Sequence, residues 1–190
     1  MYQNIIPGSK TIFPLLLFLA AIILINCNPS DKSWNMKMKQ HIVKDFNLER
    51  YLGKWYEIAR FPHSFEKNLS AVTATYSIME NGKIRVLNEG YKDSPNGKHK
   101  KAKATARQVD PSIPGWLKVY FIPFIGADYY ILEIDKENYD YALVGSSSSK
   151  YLWILGRKPE MDPDVYDMLV EQAKSLGYDT SKLIKVEHKK

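Results

Sequence analysis

The chain has 190 residues, a length that fits one domain, with a formal net charge of +6 and 13% aromatic residues. Its basic residues are spread along the chain, with one local group at 98–103 beside a Pro-Asn-Gly turn signal at 95–97. Nucleic-acid-binding proteins concentrate charge on one helix or stripe, so this distribution argues against a nucleic-acid partner. The 98–103 group is interpreted as a solvated strand edge, with attraction to anionic lipid headgroups as the alternative.

The N-terminal segment is typical of an export signal. Residues 11–26 are almost entirely apolar and follow Lys10. This segment is shorter than the roughly 20 residues that a membrane span requires, and it suits the apolar core of a secretory signal. It ends in Leu-Ile-Asn-Cys at 24–27, which resembles a bacterial lipobox whose cysteine carries the lipid. Asn26 departs from the small residue usual at its position, and an uncleaved anchor helix is the alternative.

The domain organisation follows from this signal. We expect a lipoprotein-type signal peptide at 1–26, a lipid-anchored tether at 27–45 and a barrel domain at 46–188. The tether interpretation rests on the mixed polar composition of residues 28–39, which show no apolar period. A lipid on Cys27 attaches the protein to a membrane of the bacterial envelope. Asn28 replaces the Asp that retains some bacterial lipoproteins in the inner membrane, which favours the outer membrane.

The domain itself is predicted to be all-β. Short alternating segments are separated by turn signals at fairly regular spacing, which is typical of a sandwich or barrel. Eight strands close into a barrel just wide enough for one small ligand. The alternation does not distinguish a hollow barrel from one filled by side chains. The predicted strands span residues 55–59, 72–78, 84–88, 101–107, 117–121, 129–134, 139–145 and 151–155.

One C-terminal helix is predicted between Asp162, a good N-cap, and Gly177, which suits the position after the helix end. Pro163 fits its first turn. A mostly apolar stripe indicates that the helix packs on the outside of the barrel. A short last strand follows at 182–186. The stripe consists of Val165, Met168, Leu169, Gln172 and Leu176.

Three motifs resemble those of the lipocalin family. Gly-Lys-Trp-Tyr-Glu at 53–57 resembles the signature that opens lipocalins, and Asp-Tyr-Tyr at 128–130 with Asp135 resembles the second motif. Tyr-Leu-Trp-Ile-Leu-Gly-Arg at 151–157 resembles the third. The similarity covers about residues 47–186. It is greatest to the branch that contains bacterial lipocalins, plant temperature-induced lipocalins and apolipoprotein D.

This resemblance implies an eight-stranded antiparallel up-and-down β-barrel with an apolar pocket. It implies storage or transport of small amphiphilic lipids such as fatty acids or lysophospholipids. Gly53, Trp55 and Arg157 are then structural, with the Arg packed over the Trp ring at the closed end. Phe65 lies in the loop that covers the open end and is assigned to ligand binding there. Together with strand parity, the resemblance assigns these residues to the pocket: Tyr76, Val86, Asn88, Val119, Phe121, Tyr129, Ile131, Tyr151 and Trp153.

Some interpretations remain open at this point. Glu133 shares the parity of Tyr129, so it is either a buried carboxylate near the pocket or lies near a wet end. The apolar loop 122–127 either packs under the barrel mouth or dips into a membrane. A filled protein-interaction or adhesion module and an enzyme are the alternative functions. We expect no catalytic group, metal site or cofactor, since the four His show no metal-ligand spacing. Monomer and dimer are both open.

Overall fold

The computed structural model describes residues 29–189, apart from the side chain of Phe65. The predicted signal peptide and Cys27 lie outside these residues. The helices are α1 (Pro29–Gln40), α2 (Leu48–Tyr51) and α3 (Pro163–Ser175), with single 3-10 turns at Ser64–Glu66 and Thr180–Lys182. The strands are β1 (Gly53–Arg60), β2 (Leu69–Ile78), β3 (Ile84–Lys92), β4 (His99–Gln108), β5 (Trp116–Ile122), β6 (Ile125–Ile134), β7 (Tyr141–Gly145), β8 (Leu152–Gly156) and β9 (Ile184–Lys185).

The first eight strands close into an antiparallel barrel. Their order is β2-β3-β4-β5-β6-β7-β8-β1, and β1 also pairs with β2, which closes the ring. The short β9 adds to β1 on the outside of this order. Closure removes free sheet edges and leaves alternate side chains pointing to the interior. The predicted eight-stranded barrel with a C-terminal helix is confirmed.

The closed end of the barrel is organised around Trp55 at the start of β1. Its ring is fully buried, and the Arg157 guanidinium lies 3.8 Å from the ring centroid. Gly53 has a φ of +92°, which favours glycine, and a Cβ there would lie 3.5 Å from Arg157 Nη1. Arg157 also donates hydrogen bonds to the backbone oxygens of Arg50, Lys54 and Tyr139. These contacts bind α2 and the β6–β7 turn to the barrel end.

A second apolar core lies on the outer face of β1 and β6–β8. Helix α3 buries Leu169, Ala173 and Leu176 there, against strand residues that include Leu143 and Ile154. The predicted outer packing of this helix is therefore present. The predicted stripe was wrong at one position, because Met168 is 41% exposed.

Residues 29–40, which fall in the expected polar tether, instead form a packed helix. Met38 of α1 is fully buried in the outer core. Trp34 packs edge-on against Tyr178 at 4.7 Å, and Lys37 Nζ donates to the Leu176 backbone oxygen at 2.7 Å. Few of the side chains that α1 packs on the barrel are apolar. Its sequence therefore lacks the helical repeat of apolar residues that predicts a packed helix. Within residues 29–189, no helix is both long and apolar enough to cross a membrane.

A register irregularity in β6 decides the direction of Glu133. Ile131 pairs with Val144, but Glu133 pairs with Leu143, so one residue is inserted between them. Leu143 belongs to the outer core, whereas Val144 belongs to the inner core. Glu133 therefore points outward, and the parity that grouped it with Tyr129 does not hold across the irregularity.

We predict that Met38→Ala lowers the free energy of unfolding by about 3 kcal/mol, because it leaves a cavity in a fully packed core. Urea unfolding of the protein checks this value. Met36 on the same helix is 68% exposed, so Met36→Ala is the matched control and should change stability by less than about 0.5 kcal/mol. Equal effects of the two substitutions would show that α1 does not pack on the barrel.

Candidate ligand-binding site

An apolar cavity lies inside the barrel toward the end formed by the β1–β2 and β7–β8 connections. The volume of this cavity is about 100 Å³. Side chains from the inner faces of most strands form its wall, with few polar groups among them, as in sites for small apolar ligands. The residues that line it are Glu57, Glu66, Ala74, Tyr76, Val86, Asn88, Val119, Phe121, Ala127, Asp128, Tyr129, Ser146, Tyr151, Trp153 and Leu155.

Most of the residues assigned to the pocket from the sequence lie on this wall. Ile131 does not: it is fully buried in the inner core, on the closed-end side of Tyr129. Ile131 therefore lies outside the cavity wall, since parity gives the face of a strand and not the depth along it. Phe65 lies outside the described side chains. The residues placed on the wall are Tyr76, Val86, Asn88, Val119, Phe121, Tyr129, Tyr151 and Trp153.

The sequence reasoning missed the acidic residues of the wall. Glu57 was counted only as part of the family signature, and Glu66 was not singled out in its loop. Asp128 also borders the cavity, but its Oδ1 accepts a hydrogen bond from Trp116 Nε1 on the outer face. Ala127, Ser146 and Leu155 also line the cavity and were not assigned to it from the sequence. No alternation pattern carries a signal for a carboxylate inside an apolar barrel.

A bulge at Ile58 brings two charged residues to the same inner face. Glu57 pairs with Leu155 of the inner core, while Ala59 pairs with Ile154 of the outer core. The extra residue shifts the alternation by one position, so that Arg60 also points inward. Without this shift, residues three apart on a strand would face opposite sides of the sheet.

Arg60 is the centre of a buried polar cluster beside the cavity. Its Nη1 donates to Glu57 Oε1 at 2.6 Å, and its Nη2 donates to the Glu66 and Leu69 backbone oxygens. Its Nε lies 3.5 Å from Glu66 Oε2, and His63 Nε2 lies 3.1 Å from the same oxygen. The Arg60 and Glu57 side chains are only 4% and 6% exposed. The Coulombic interactions in this cluster are thus weakly screened by solvent.

Burial changes the protonation of this cluster. Removal from solvent and, to a smaller extent, the nearby Glu66 carboxylate raise the pKa of Glu57 to about 8, although Arg60 opposes both effects. Burial also raises the pKa of Glu66. Burial lowers the pKa of His63 to about 4, so His63 is neutral at pH 7. Burial therefore favours the protonated form of both carboxyl groups, and Glu57 retains its proton at pH 7.

Three phenols form the polar floor of the cavity. Tyr129 shares hydrogen bonds with the hydroxyls of Tyr51 at 2.7 Å and Tyr76 at 2.9 Å. Burial raises the pKa of Tyr76 to about 12, so this hydroxyl stays neutral at physiological pH. The cavity thus has polar groups at its two ends and an apolar wall between them.

The open-end hairpin between β5 and β6 carries Phe124, which is fully exposed at a φ of +69°. Of the two interpretations of residues 122–127, packing under the barrel mouth therefore does not hold at Phe124. No group of three or more His, Cys, Asp or Glu in the 29–189 region is arranged to hold a metal ion.

A closed eight-stranded barrel with one apolar internal cavity defines a small-molecule-binding barrel protein. The family model for the lipocalin-like domain matches residues 46–188. The chain belongs to the lipocalin family, whose members bind small hydrophobic ligands.

Similar proteins agree with this assignment. The chain is 42% identical over 174 residues to outer membrane lipoprotein Blc of Vibrio cholerae, covering 91% of this chain and 97% of that protein. It is 44% identical over 159 residues to temperature-induced lipocalin-1 of Arabidopsis thaliana, covering 78% and 83%. The crystal structure of lobster apocrustacyanin A1 superposes with a TM-score of 0.63 at 18% identity, covering 82% of this chain and 86% of that one. The last similarity supports the fold.

We predict that Glu57→Gln raises stability relative to the parent protein more at pH 9 than at pH 5. The pKa of Glu57 in the folded protein, about 8, exceeds its usual 4.5. The stability that this group contributes is therefore fully present below pH 4.5 and is lost as the pH rises through 8. Removing the titrating group removes that loss, by about 1 kcal/mol or more across this range.

Urea unfolding of both proteins at the two pH values measures this difference. Glu80→Gln is the matched control, because Glu80 is exposed in the β2–β3 turn. Its effect should be the same at both pH values. A Glu57→Gln effect that does not vary with pH would contradict the buried, proton-retaining state of Glu57.

Proposed function

We propose that this barrel binds one small single-chain amphiphile, of the class that includes fatty acids, lysophospholipids and similar lipids, for storage or transport. The observation that carries this proposal is the arrangement of the cavity, with an apolar wall between two polar ends. Val86, Val119 and Leu155 supply aliphatic contact for an acyl chain. Each methylene buried there contributes about 0.8 kcal/mol.

The size of the cavity supports a slender ligand. A cavity of about 100 Å³ accommodates a short segment of an unbranched chain, and a longer chain or a bulky ring system requires side chains to move. Trp153 and Tyr151 stack parallel at 6.0 Å beside the opening and present flat apolar faces to an entering chain. A filled interaction module needs no such cavity, so the structure favours binding over that alternative.

The proposal extends to location. We infer that the protein is attached to the bacterial outer membrane through a lipid on Cys27, after removal of a signal peptide at 1–26. The lipobox-like sequence at 24–27 supports this, as does similarity to a protein named outer membrane lipoprotein Blc. The exposed Phe124 ring at the open end suits contact with a lipid surface. Tethering would keep the cavity close to its ligand source.

We predict that Ala74→Phe weakens binding of a lauroyl lysophospholipid at least about tenfold, because the larger ring occupies the cavity. Isothermal titration calorimetry measures the affinity. Thr75→Phe is the matched control, since residue 75 does not line the cavity. It should leave affinity within about twofold. Equal losses in both variants, or no binding by the parent protein, would contradict an internal lipid site.

We predict that Cys27→Ser abolishes lipid attachment and releases the protein from the membrane fraction. Growth of a bacterial expression host with radiolabelled palmitate, followed by fractionation, measures both. Ser30→Ala, just after the proposed attachment site, is the control and should remain labelled. Label retained on Cys27→Ser would place any acylation elsewhere and rule out this anchor.

A further inference from the structure

The polar cluster beside the cavity bears on which headgroup the barrel accepts. We propose that the site selects amphiphiles whose headgroup donates hydrogen bonds through a hydroxyl or ammonium group, and discriminates against a free carboxylate. The inference deepens the proposed lipid-binding function and rests on it. Three features of the cluster support it: the state of Arg60, the position of the two glutamates, and the charge of the cavity wall.

The guanidinium of Arg60 is already occupied by the protein. Nη1 binds Glu57, Nη2 donates to two backbone oxygens, and Nε faces Glu66. The residue is only 3% exposed and does not belong to the cavity wall. An incoming carboxylate therefore finds no free guanidinium fork, the group that ordinarily recognises carboxylates in proteins.

The two glutamates, by contrast, do form part of the wall. Glu66 is 9% exposed and lines the cavity. Its Oε2 lies 3.5 Å from Arg60 Nε and 3.1 Å from His63 Nε2, and the Trp153 side chain donates a hydrogen bond to the carboxyl group. Carboxylate oxygens only accept hydrogen bonds when ionised. The two glutamates therefore present acceptor groups to the cavity, to which a hydroxyl or ammonium group on a ligand donates and a carboxylate does not.

The charge of the wall reinforces this preference. Among the described residues, no Lys or Arg side chain lines the cavity. The single guanidinium already faces both carboxyl groups, so an added carboxylate would bring a negative charge without a cationic partner into a weakly solvated site. The groups facing the pair are Arg60 and His63 from the same segment, Tyr76 from β2 and Trp153 from β8. None of them supplies a second positive charge at neutral pH, since burial lowers the pKa of His63 to about 4.

Calorimetry with three probes of equal chain length tests the inference on the intact barrel. The probes are 1-monolauroylglycerol, dodecylamine and laurate, each kept below its micelle concentration. At pH 7.5 we expect the first two to bind at least about tenfold more tightly than laurate, because only the laurate headgroup adds buried negative charge. At pH 5, where a larger share of laurate is protonated, the gap should narrow.

A variant identifies the source of the selectivity. Glu66→Gln removes a carboxyl group that faces Arg60 Nε and so leaves more of the Arg60 charge to attract a carboxylate. Laurate should then bind more tightly, and the ratio between monolauroylglycerol and laurate affinities should fall several-fold. Glu80→Gln, which makes the same chemical change on the outer turn, should leave the ratio unchanged. Circular dichroism confirms folding of each variant, and the ratio measured on the parent protein decides the matter if Glu66→Gln does not fold.

The outcomes separate the two proposals. Tighter or equal binding of laurate at pH 7.5 overturns the headgroup inference while leaving the lipid-binding function intact. Binding of none of the three probes overturns both. A parent protein that prefers the donor headgroups, with a preference that Glu66→Gln reduces and Glu80→Gln does not, supports the inference.

Discussion

The site depends on a single extra residue in β1. The bulge at Ile58 turns Glu57 and Arg60 to the same inner face and places their ion pair beside an apolar cavity. It also leaves backbone oxygens that the rest of the strand ladder does not pair. The C-terminal segment supplies those partners, since Val186 N donates to the Ile58 oxygen and His188 Nε2 donates to the Glu57 oxygen, both at 2.9 Å. The bulge, the ion pair and the chain terminus therefore form one structural unit.

A buried ion pair is a weak source of stability, because the cost of desolvating both charges offsets most of their attraction. Two features reduce the desolvation cost here. Arg60 donates hydrogen bonds to the backbone oxygens of Glu66 and Leu69, and Glu57 tends to keep its proton. Replacing the cluster by apolar side chains would fill the open end of the barrel and remove its polar group. The cluster is thus better explained by ligand recognition than by stability. The hydrogen-bonded hydroxyls of Tyr51, Tyr76 and Tyr129 are the polar groups at the opposite end of the cavity.

The regular parts of the fold were predictable from the sequence. Alternation located all eight barrel strands, and capping residues located α3, since both depend on local periodicity and turn chemistry. The family motifs also brought Trp55 and Arg157 together in advance of the structure. The prediction of inward and outward side chains from alternation failed at two irregularities. The inserted residues near Ile58 in β1 and Glu133 in β6 reverse the faces of the strand residues that follow them. Alternation also gave no depth, as Ile131 shows, and it gave no signal for α1, whose packing uses few apolar residues.

A crystal structure of the protein with 1-monolauroylglycerol tests the central claim most directly. The account predicts the acyl chain inside the barrel, between Val86 and Val119, with a glycerol hydroxyl within hydrogen-bond distance of Glu66. Lipid bound only on the outer surface, or a headgroup at the Tyr129 end with the chain directed outward, would contradict it.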